Sequence, residues 1–239
     1  MSAARLAFAL TLIALGALSL VQGDFATIWA GADRTTPGRL ALVYATAMVS
    51  LGGGLGLFWP RTTQAAACLL ASAFLVWLLM FKLGPALARP LAAAGWENCG
   101  ESLVMTAGAL ALAPGSGDAR GAQIGLGLAV LPLGLAHLVY LKETAGLVPG
   151  WIPGPRFWAA ATGLAYLAAG PALMTRRWIR PAAVLVALQM TGFTLLVWGW
   201  RLVEGVRFPT VWGEAADSLA LTVAAWAVAA ATISGEGRS

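Results

Sequence analysis

The chain is dominated by apolar blocks of roughly 20 residues, separated by short breaks that are hydrophilic or rich in Gly and Pro. An α-helix of that length crosses the hydrocarbon core of a bilayer. Only 10% of the residues are charged, whereas soluble domains carry about 25%. We therefore predict an all-α polytopic membrane protein with about eight transmembrane helices. The blocks are Ala4–Val21, Arg39–Phe58, Thr63–Phe81, Gly100–Ala113, Ala122–Leu141, Phe157–Met174, Ile179–Trp198 and Ala215–Ile233.

The two halves of the sequence match each other at an offset of about 117 residues. Arg39–Phe81 resembles Arg156–Trp198, and two segments share the pattern Trp, four residues, an acid, Ser and Leu. These segments begin at Trp96 and Trp212. The match predicts two tandem four-helix repeats, 1–116 and 117–239, within one membrane domain. Because four is even, both repeats have the same orientation in the membrane.

The distribution of basic residues predicts the orientation. We call the side of the N-terminus side A and the opposite side B. Side A concentrates arginines in very short hairpins, above all Arg176–Arg180, so we assign it to the cytoplasm together with both termini. The repeat also favours a retained first helix over a cleaved signal peptide. The basic residues form no stripe, so we predict the lipid bilayer as a partner and no nucleic acid.

His137 is the only histidine in the chain and lies near the predicted end of the fifth block, followed by Lys142 and Glu143. Polar groups inside hydrocarbon are costly, so each needs a partner or a function. His137 is either a structural residue bonded to a neighbouring helix or part of a ligand site or proton relay. One histidine does not make a metal site, and we predict none.

Four carboxylates fall on side B at helical spacings, Glu97 with Glu101 and Glu214 with Asp217. Glu101 and Asp217 occupy matching repeat positions. The cations available to pair with them are Lys82, Lys142, Arg201 and Arg207. Two interpretations stand. The charges are interfacial ion pairs that anchor helix ends, or they form a polar pocket that opens to side B with His137 at its floor. The candidate pocket residues are His137, Lys142, Glu143, Glu101, Asp217, Glu97, Glu214 and Arg201.

The remaining conspicuous side chains are interpreted as structural. Most tryptophans, Trp29 among them, fall near side B and are typical of interface belts, with ring stacking on a ligand such as a quinone as the alternative. The small residues of the second and sixth blocks favour close helix packing. Gln189 is expected to bond across to a neighbouring helix.

One part of the sequence resembles the DoxX-like family of small bacterial membrane proteins, best over Ile124–Trp198. The residues that carry the resemblance are His137, Val148, Pro149, Trp151, Ile152, Pro153, Pro155, Thr162, Gly163, Ala169, Gly170 and the hairpin Arg176–Arg180. The resemblance implies a four-helix bundle in the bacterial inner membrane. The family is named after a membrane subunit linked to thiosulfate oxidation with quinone as acceptor.

The chain departs from the family pattern in three ways. It has two units, its first half carries Ser19 in place of His137, and Tyr166 and Leu167 stand where the family commonly has an acid. The resemblance therefore supports the architecture more than the chemistry.

Three functions remain open. The first is a membrane subunit in quinone-linked redox metabolism, with a membrane or redox partner subunit and a quinone that the sequence allows but does not require. The second is a non-enzymatic membrane scaffold or assembly protein. The third is a small-solute transporter, disfavoured because Pro132 and Pro171 do not occupy matching positions in the two halves. No specific enzyme motif is present, so the sequence decides neither for nor against an enzyme.

Overall fold

A computed structural model describes residues 1–113, 119–175, 177–205 and 209–235. Arg176 and Arg207, which enter the sequence predictions, lie outside these ranges. The described residues form helices and contain no strand, as predicted. The eight long helices among them are α1 Ala3–Gln22, α2 Arg39–Gly56, α3 Pro60–Ala88, α4 Ala93–Ala111, α5 Ala119–Val139, α6 Pro155–Met174, α7 Ile179–Val203 and α8 Pro209–Gly235.

Seven helices within the described ranges are long and apolar enough to cross a membrane. The exception among the eight is α4, which is long enough but carries Glu97, Asn98 and Glu101. It packs between α3, α5 and α8, so many of its residues face protein. An interior helix tolerates polar side chains that a lipid-facing helix would not.

Two predicted boundaries are wrong at side B. The break expected from Lys82 to Cys99 is largely helical, because α3 continues to Ala88 and α4 begins at Ala93. Lys82 is consequently a buried helical residue, with only 5% of its surface exposed. The fifth helix ends at Val139 instead of Leu141, and Lys142 lies on a separate short helix, Leu141–Leu147.

The helices α3 and α7 each contain a π-helical segment near side B. The segments are Leu78–Lys82 in α3 and Phe193–Gly199 in α7. A π segment widens the helix locally and is rare outside functional regions of proteins. The two segments lie in corresponding parts of the third and seventh helices.

Small residues set the helix contacts. A Cβ atom added to Gly16 of α1 would lie 2.8 Å from the Ala47 carbonyl oxygen of α2, and one added to Gly134 of α5 would lie 2.7 Å from the Gly163 oxygen of α6. Such distances require glycine. The predicted close packing is thus confirmed at Gly163, but not at Gly52, which meets nothing within 4 Å among the described residues.

At the centre of the bundle α4 packs against α8, where a Cβ atom on Gly108 would lie 2.6 Å from the Ala224 Cβ atom. Glu101 and Asp217 line one cavity nearer side B. Gly108 and Ala224 are separated along the chain by the same number of residues as Glu101 and Asp217, as expected for parallel α4 and α8.

Trp29 does not belong to an interface belt, and that prediction is wrong. It lies on a 3₁₀ turn, Thr27–Trp29, and is 1% exposed. Its ring stacks on Phe74 with 4.3 Å between centroids and meets Trp77 edge-on at 5.6 Å. Its indole N–H donates to the Ser50 hydroxyl at 2.8 Å. The turn therefore inserts an aromatic ring into the first half.

Candidate functional site

A cavity of about 220 Å³ lies between α4 of the first half and α5, α6, α7 and α8 of the second half. Its lining combines carboxylates, one imidazole, aromatic rings and aliphatic side chains. The polar and charged lining residues are Glu97, Glu101, His137, Glu214, Asp217 and Ser218. All of these lie near the side B ends of their helices.

His137 is held by α6. Its Nδ1 atom lies 3.1 Å from the Thr162 hydroxyl oxygen. The Thr162 hydroxyl can donate its hydrogen to the Trp158 carbonyl at 2.9 Å or to the Ala159 carbonyl at 3.1 Å. In the histidine tautomer that carries its proton on Nδ1, Thr162 accepts from His137 and Nε2 is left as an acceptor. The interpretation of His137 as a structural residue bonded to a neighbouring helix therefore accounts for Nδ1 but not for Nε2.

The carboxylates greatly outnumber the cations beside them. Lys82 approaches Glu101, with 3.9 Å between Nζ and Oε2. Asp217 is only 4% exposed, and its Oδ1 atom finds no hydrogen-bond partner in the described part of the chain. A buried polar atom without a partner costs about 1–3 kcal/mol. Such an atom at a cavity wall is where a ligand or a proton would be accommodated.

Rings and hydroxyls complete the walls. The His137 ring lies 5.6 Å from the Tyr166 ring and 6.0 Å from the Phe193 ring, centroid to centroid. Thr194, in the π segment of α7, forms hydrogen bonds of 2.7 Å with Ser218 and 2.8 Å with Thr222. These bonds fasten the π segment to α8 and keep Phe193 beside the cavity.

A second cavity, of about 270 Å³, adjoins the first at Phe193. It lies between α6, α7 and the segment from Thr144 to Ile152, and its walls are almost entirely apolar. Thr162 lines this second cavity while bonding to His137 in the first. One polar and one apolar space therefore share a wall.

The structure brings together five of the eight candidate residues. Glu97, Glu101, His137, Glu214 and Asp217 line the polar cavity, whereas Lys142, Glu143 and Arg201 do not. Lys142 and Glu143 are exposed on the short helix Leu141–Leu147. Arg201 turns away because its guanidinium donates to the Gly146 carbonyl at 3.3 Å and lies over the Trp198 ring.

Sequence reasoning missed the aromatic and hydroxyl groups of this site. Tyr166 and Phe193 lie within apolar helices where nothing marks them as ligand-facing. Lys82 was counted as an available cation but not as a pocket neighbour, because its position appeared to fall in a loop. The expected cross-helix bond of Gln189 is confirmed, since its amide donates to the Thr162 carbonyl at 3.0 Å.

The described residues contain no group of three or more His, Cys, Asp or Glu side chains arranged to hold a metal ion. No protein-family model, curated protein or solved structure matches the chain. The chemistry of the site has to be argued from its own geometry.

Proposed function

We propose that the protein is a membrane subunit of quinone-linked redox metabolism that binds a lipid-soluble, ring-bearing molecule in its second half. The observation that carries this proposal is the shared wall at Phe193 between a polar cavity and an apolar one. A molecule with a polar ring and an apolar tail matches such a pair of spaces. The DoxX-like resemblance points to the same class of ligand.

The polar cavity offers the groups that a quinone headgroup needs. In the tautomer protonated at Nδ1, Nε2 of His137 can accept a hydrogen bond, and the rings of Tyr166 and Phe193 provide flat apolar surfaces. Asp217 supplies a carboxylate that can take up or release a proton close to the ring. Quinone chemistry couples electrons to protons, so acidic groups at the headgroup suit it.

A duplicated four-helix unit, 1–116 and 117–239, accounts for the surroundings of this cavity. Helix α1 packs on α2 as α5 packs on α6, through the paired approaches at Gly16 and Gly134. Gly108 meets Ala224, its own counterpart in the alignment of α4 with α8. That contact is expected where two related units meet about a twofold axis. We further propose that both termini are cytoplasmic in a bacterial inner membrane, which places the cavity at the opposite face.

Purification tests the ligand. The protein is isolated in mild detergent, its bound lipids are extracted, and the extract is examined by mass spectrometry. We expect quinone at close to one equivalent, and at least tenfold less in His137→Ala. Leu135→Ala, an exposed position on the same helix, is the control and should retain wild-type amounts. Absence of quinone in the wild type, with quinone-dependent rates in membranes unchanged by His137→Ala, would refute the proposal.

Transport is the second candidate, and the matched π segments of α3 and α7 favour it. Transporter sites are commonly built where helices of two repeats are interrupted at corresponding positions. The helix-interior prolines of this chain do not occupy corresponding positions in the two halves, whereas the two π segments do. Flux into liposomes that disappears in Asp217→Asn and persists in Lys142→Ala would establish transport. Flux equal to that of empty liposomes would exclude it for the solutes tried.

A further inference from the structure

The polar cavity has a filled counterpart in the first half. There Trp29 stacks on Phe74 and donates to Ser50. In the alignment of α2 with α6, Ser50 corresponds to Tyr166, which lines the cavity in the second half. Phe74 likewise corresponds to Met190, another lining residue. The surroundings of Trp29 are therefore related to the surroundings of the open cavity.

Trp29 itself corresponds to Leu147. The offset from Trp29 to Leu147 equals the offsets from Gly16 to Gly134 and from Ser19 to His137. Leu147 lines the cavity from the short helix Leu141–Leu147. Since leucine lacks the indole ring, the space that the ring occupies in the first half is left open in the second.

The open space is also more acidic than the filled one. Gly213 of α8 leaves room for Thr27, whose hydroxyl oxygen would lie 3.0 Å from a Cβ atom added there. In the alignment of α4 with α8, Gly213 corresponds to Glu97, which lines the cavity. Together with Glu97, the cavity has Glu101, Glu214, the unpartnered Asp217 and Nε2 of His137 as acceptors.

Two polar groups at or beside this cavity are already engaged with protein partners. Lys82 is engaged with Glu101, and the Ser218 hydroxyl is bonded to Thr194. The Oδ1 atom of Asp217 has no hydrogen-bond partner among the described residues. A carboxyl oxygen accepts hydrogen bonds, so a ligand that supplies a donor would pair with this atom, whereas a ligand carrying acceptors alone would leave it unpaired.

We infer that the cavity takes a flat aromatic ligand whose ring edge carries N–H or O–H donors, in the place that Trp29 fills in the first half. The inference rests on the proposed function in using the same cavity, and it narrows the ligand class. Among quinone-type molecules it selects the reduced, hydroxyl-bearing form over the oxidised form. Asp217 is the acceptor that makes this selection.

Indole and benzofuran provide a matched pair of probes, because they have the same shape and differ in having an N–H donor or an ether oxygen. Their binding is measured by equilibrium dialysis against detergent-solubilised full-length protein, with protein-free micelles as the blank. We expect indole to bind about tenfold more tightly than benzofuran, the effect of one hydrogen bond. Equal binding of the two probes by the wild-type protein would overturn the inference.

Two variants assign the effect to the cavity. Asp217→Asn should bring the indole-to-benzofuran ratio down to about one, because an amide can both donate and accept. Leu147→Trp should abolish binding of both probes by inserting in the second half the ring that Trp29 inserts in the first. Lys142→Ala, outside the cavity, should behave as the wild type. Unchanged probe binding in Leu147→Trp would show that the probes bind elsewhere and would overturn the inference.

The outcomes separate this inference from the proposed function. Retention of quinone together with equal binding of indole and benzofuran would leave the proposed function standing and remove the donor preference. A donor preference that depends on Asp217, with no quinone extracted, would keep the inference and redirect the search towards another ring-bearing ligand.

Discussion

The two halves of the molecule differ in how they pack one related position of the fold. In the first half, Trp29 fills the space between α2 and α3 and is itself hydrogen-bonded. In the second half, Leu147 leaves the related space open and acidic groups line it. The exchange of Trp29 for Leu147 thus accompanies the change from a packed core to a cavity, and the place where the packing of the two halves differs is where we look for function.

The two halves also differ at side B, in the segments that follow α1 and α5. In the first half Asp24 pairs with Arg39 at 2.5 Å, and Arg39 also lies over the Phe25 ring. The residue at the offset of Asp24 is Lys142. A lysine cannot form the same pair with an arginine such as Arg156, so the Asp24–Arg39 link of the first half has no equivalent at Lys142.

The largest effect is expected from emptying the filled space. Trp29→Ala removes a stacked ring and a hydrogen bond, and it should destabilise the protein by about 3–5 kcal/mol. Unfolding in detergent, followed by circular dichroism, measures the change. Leu147→Ala is the matched control and should cost much less, because its side chain already borders a cavity. Equal losses from the two variants would contradict the contrast between the halves. Indole added to Trp29→Ala should restore part of the lost stability.

The second largest effect is expected at the contact between α4 and α8. Gly108→Ala places a methyl group against Ala224 and should cost about 1–3 kcal/mol through overpacking. Gly52→Ala meets open space within the described structure and should be neutral or slightly stabilising. Thermal unfolding of both variants in the same detergent checks the difference. A neutral Gly108→Ala would mean that α4 and α8 do not approach as closely as described.

The two related threonines should differ by a smaller amount. Thr162→Val removes the acceptor of His137, whereas Thr46→Val removes only bonds to carbonyls of its own helix. We expect Thr162→Val to be the more destabilising by about 1 kcal/mol. The histidine ring signals in NMR spectra should also move in Thr162→Val and stay in place in Thr46→Val. An unmoved ring signal in Thr162→Val would contradict the assigned hydrogen bond.

The smallest effect concerns the ion pair at side B. Its hydrogen bond to Arg39 keeps the pKa of Asp24 below the ordinary value. A lowered pKa in the folded state gives stability that is present above the ordinary aspartate pKa and is lost as the pH falls through the lowered value. Since the pair is largely exposed, we expect only about 0.2–1 kcal/mol. Comparison of wild-type and Asp24→Asn unfolding at neutral and acidic pH should show the difference shrinking in acid, while Lys142→Asn shows no such trend.

Much of the architecture could be predicted from the sequence because hydrophobic length is a strong constraint in a membrane. The apolar blocks located most of the helices, although Lys82 was assigned to a break. That error arose because a lone lysine reads as a solvated residue unless its partner is known, and Glu101 is distant in the chain. The site was harder to foresee. His137 and the carboxylates are conspicuous among apolar residues, but the orientations of Tyr166 and Phe193 depend on helix packing that no local pattern encodes.

The π segment of α7 fixes which residues can reach the cavity. An α-helix turns by about 100° per residue, so removal of one residue from Phe193–Gly199 that restored regular α-helix would rotate everything beyond it by that angle. Trp198 would leave the cavity wall and Arg201 would lose its hydrogen bond to the Gly146 carbonyl. The extra residue of the π segment therefore sets the rotation of the helix end that follows it. Insertion or deletion of a single residue in this π segment during evolution would therefore reorient the whole end of α7 in one step, without altering the chemistry of any side chain.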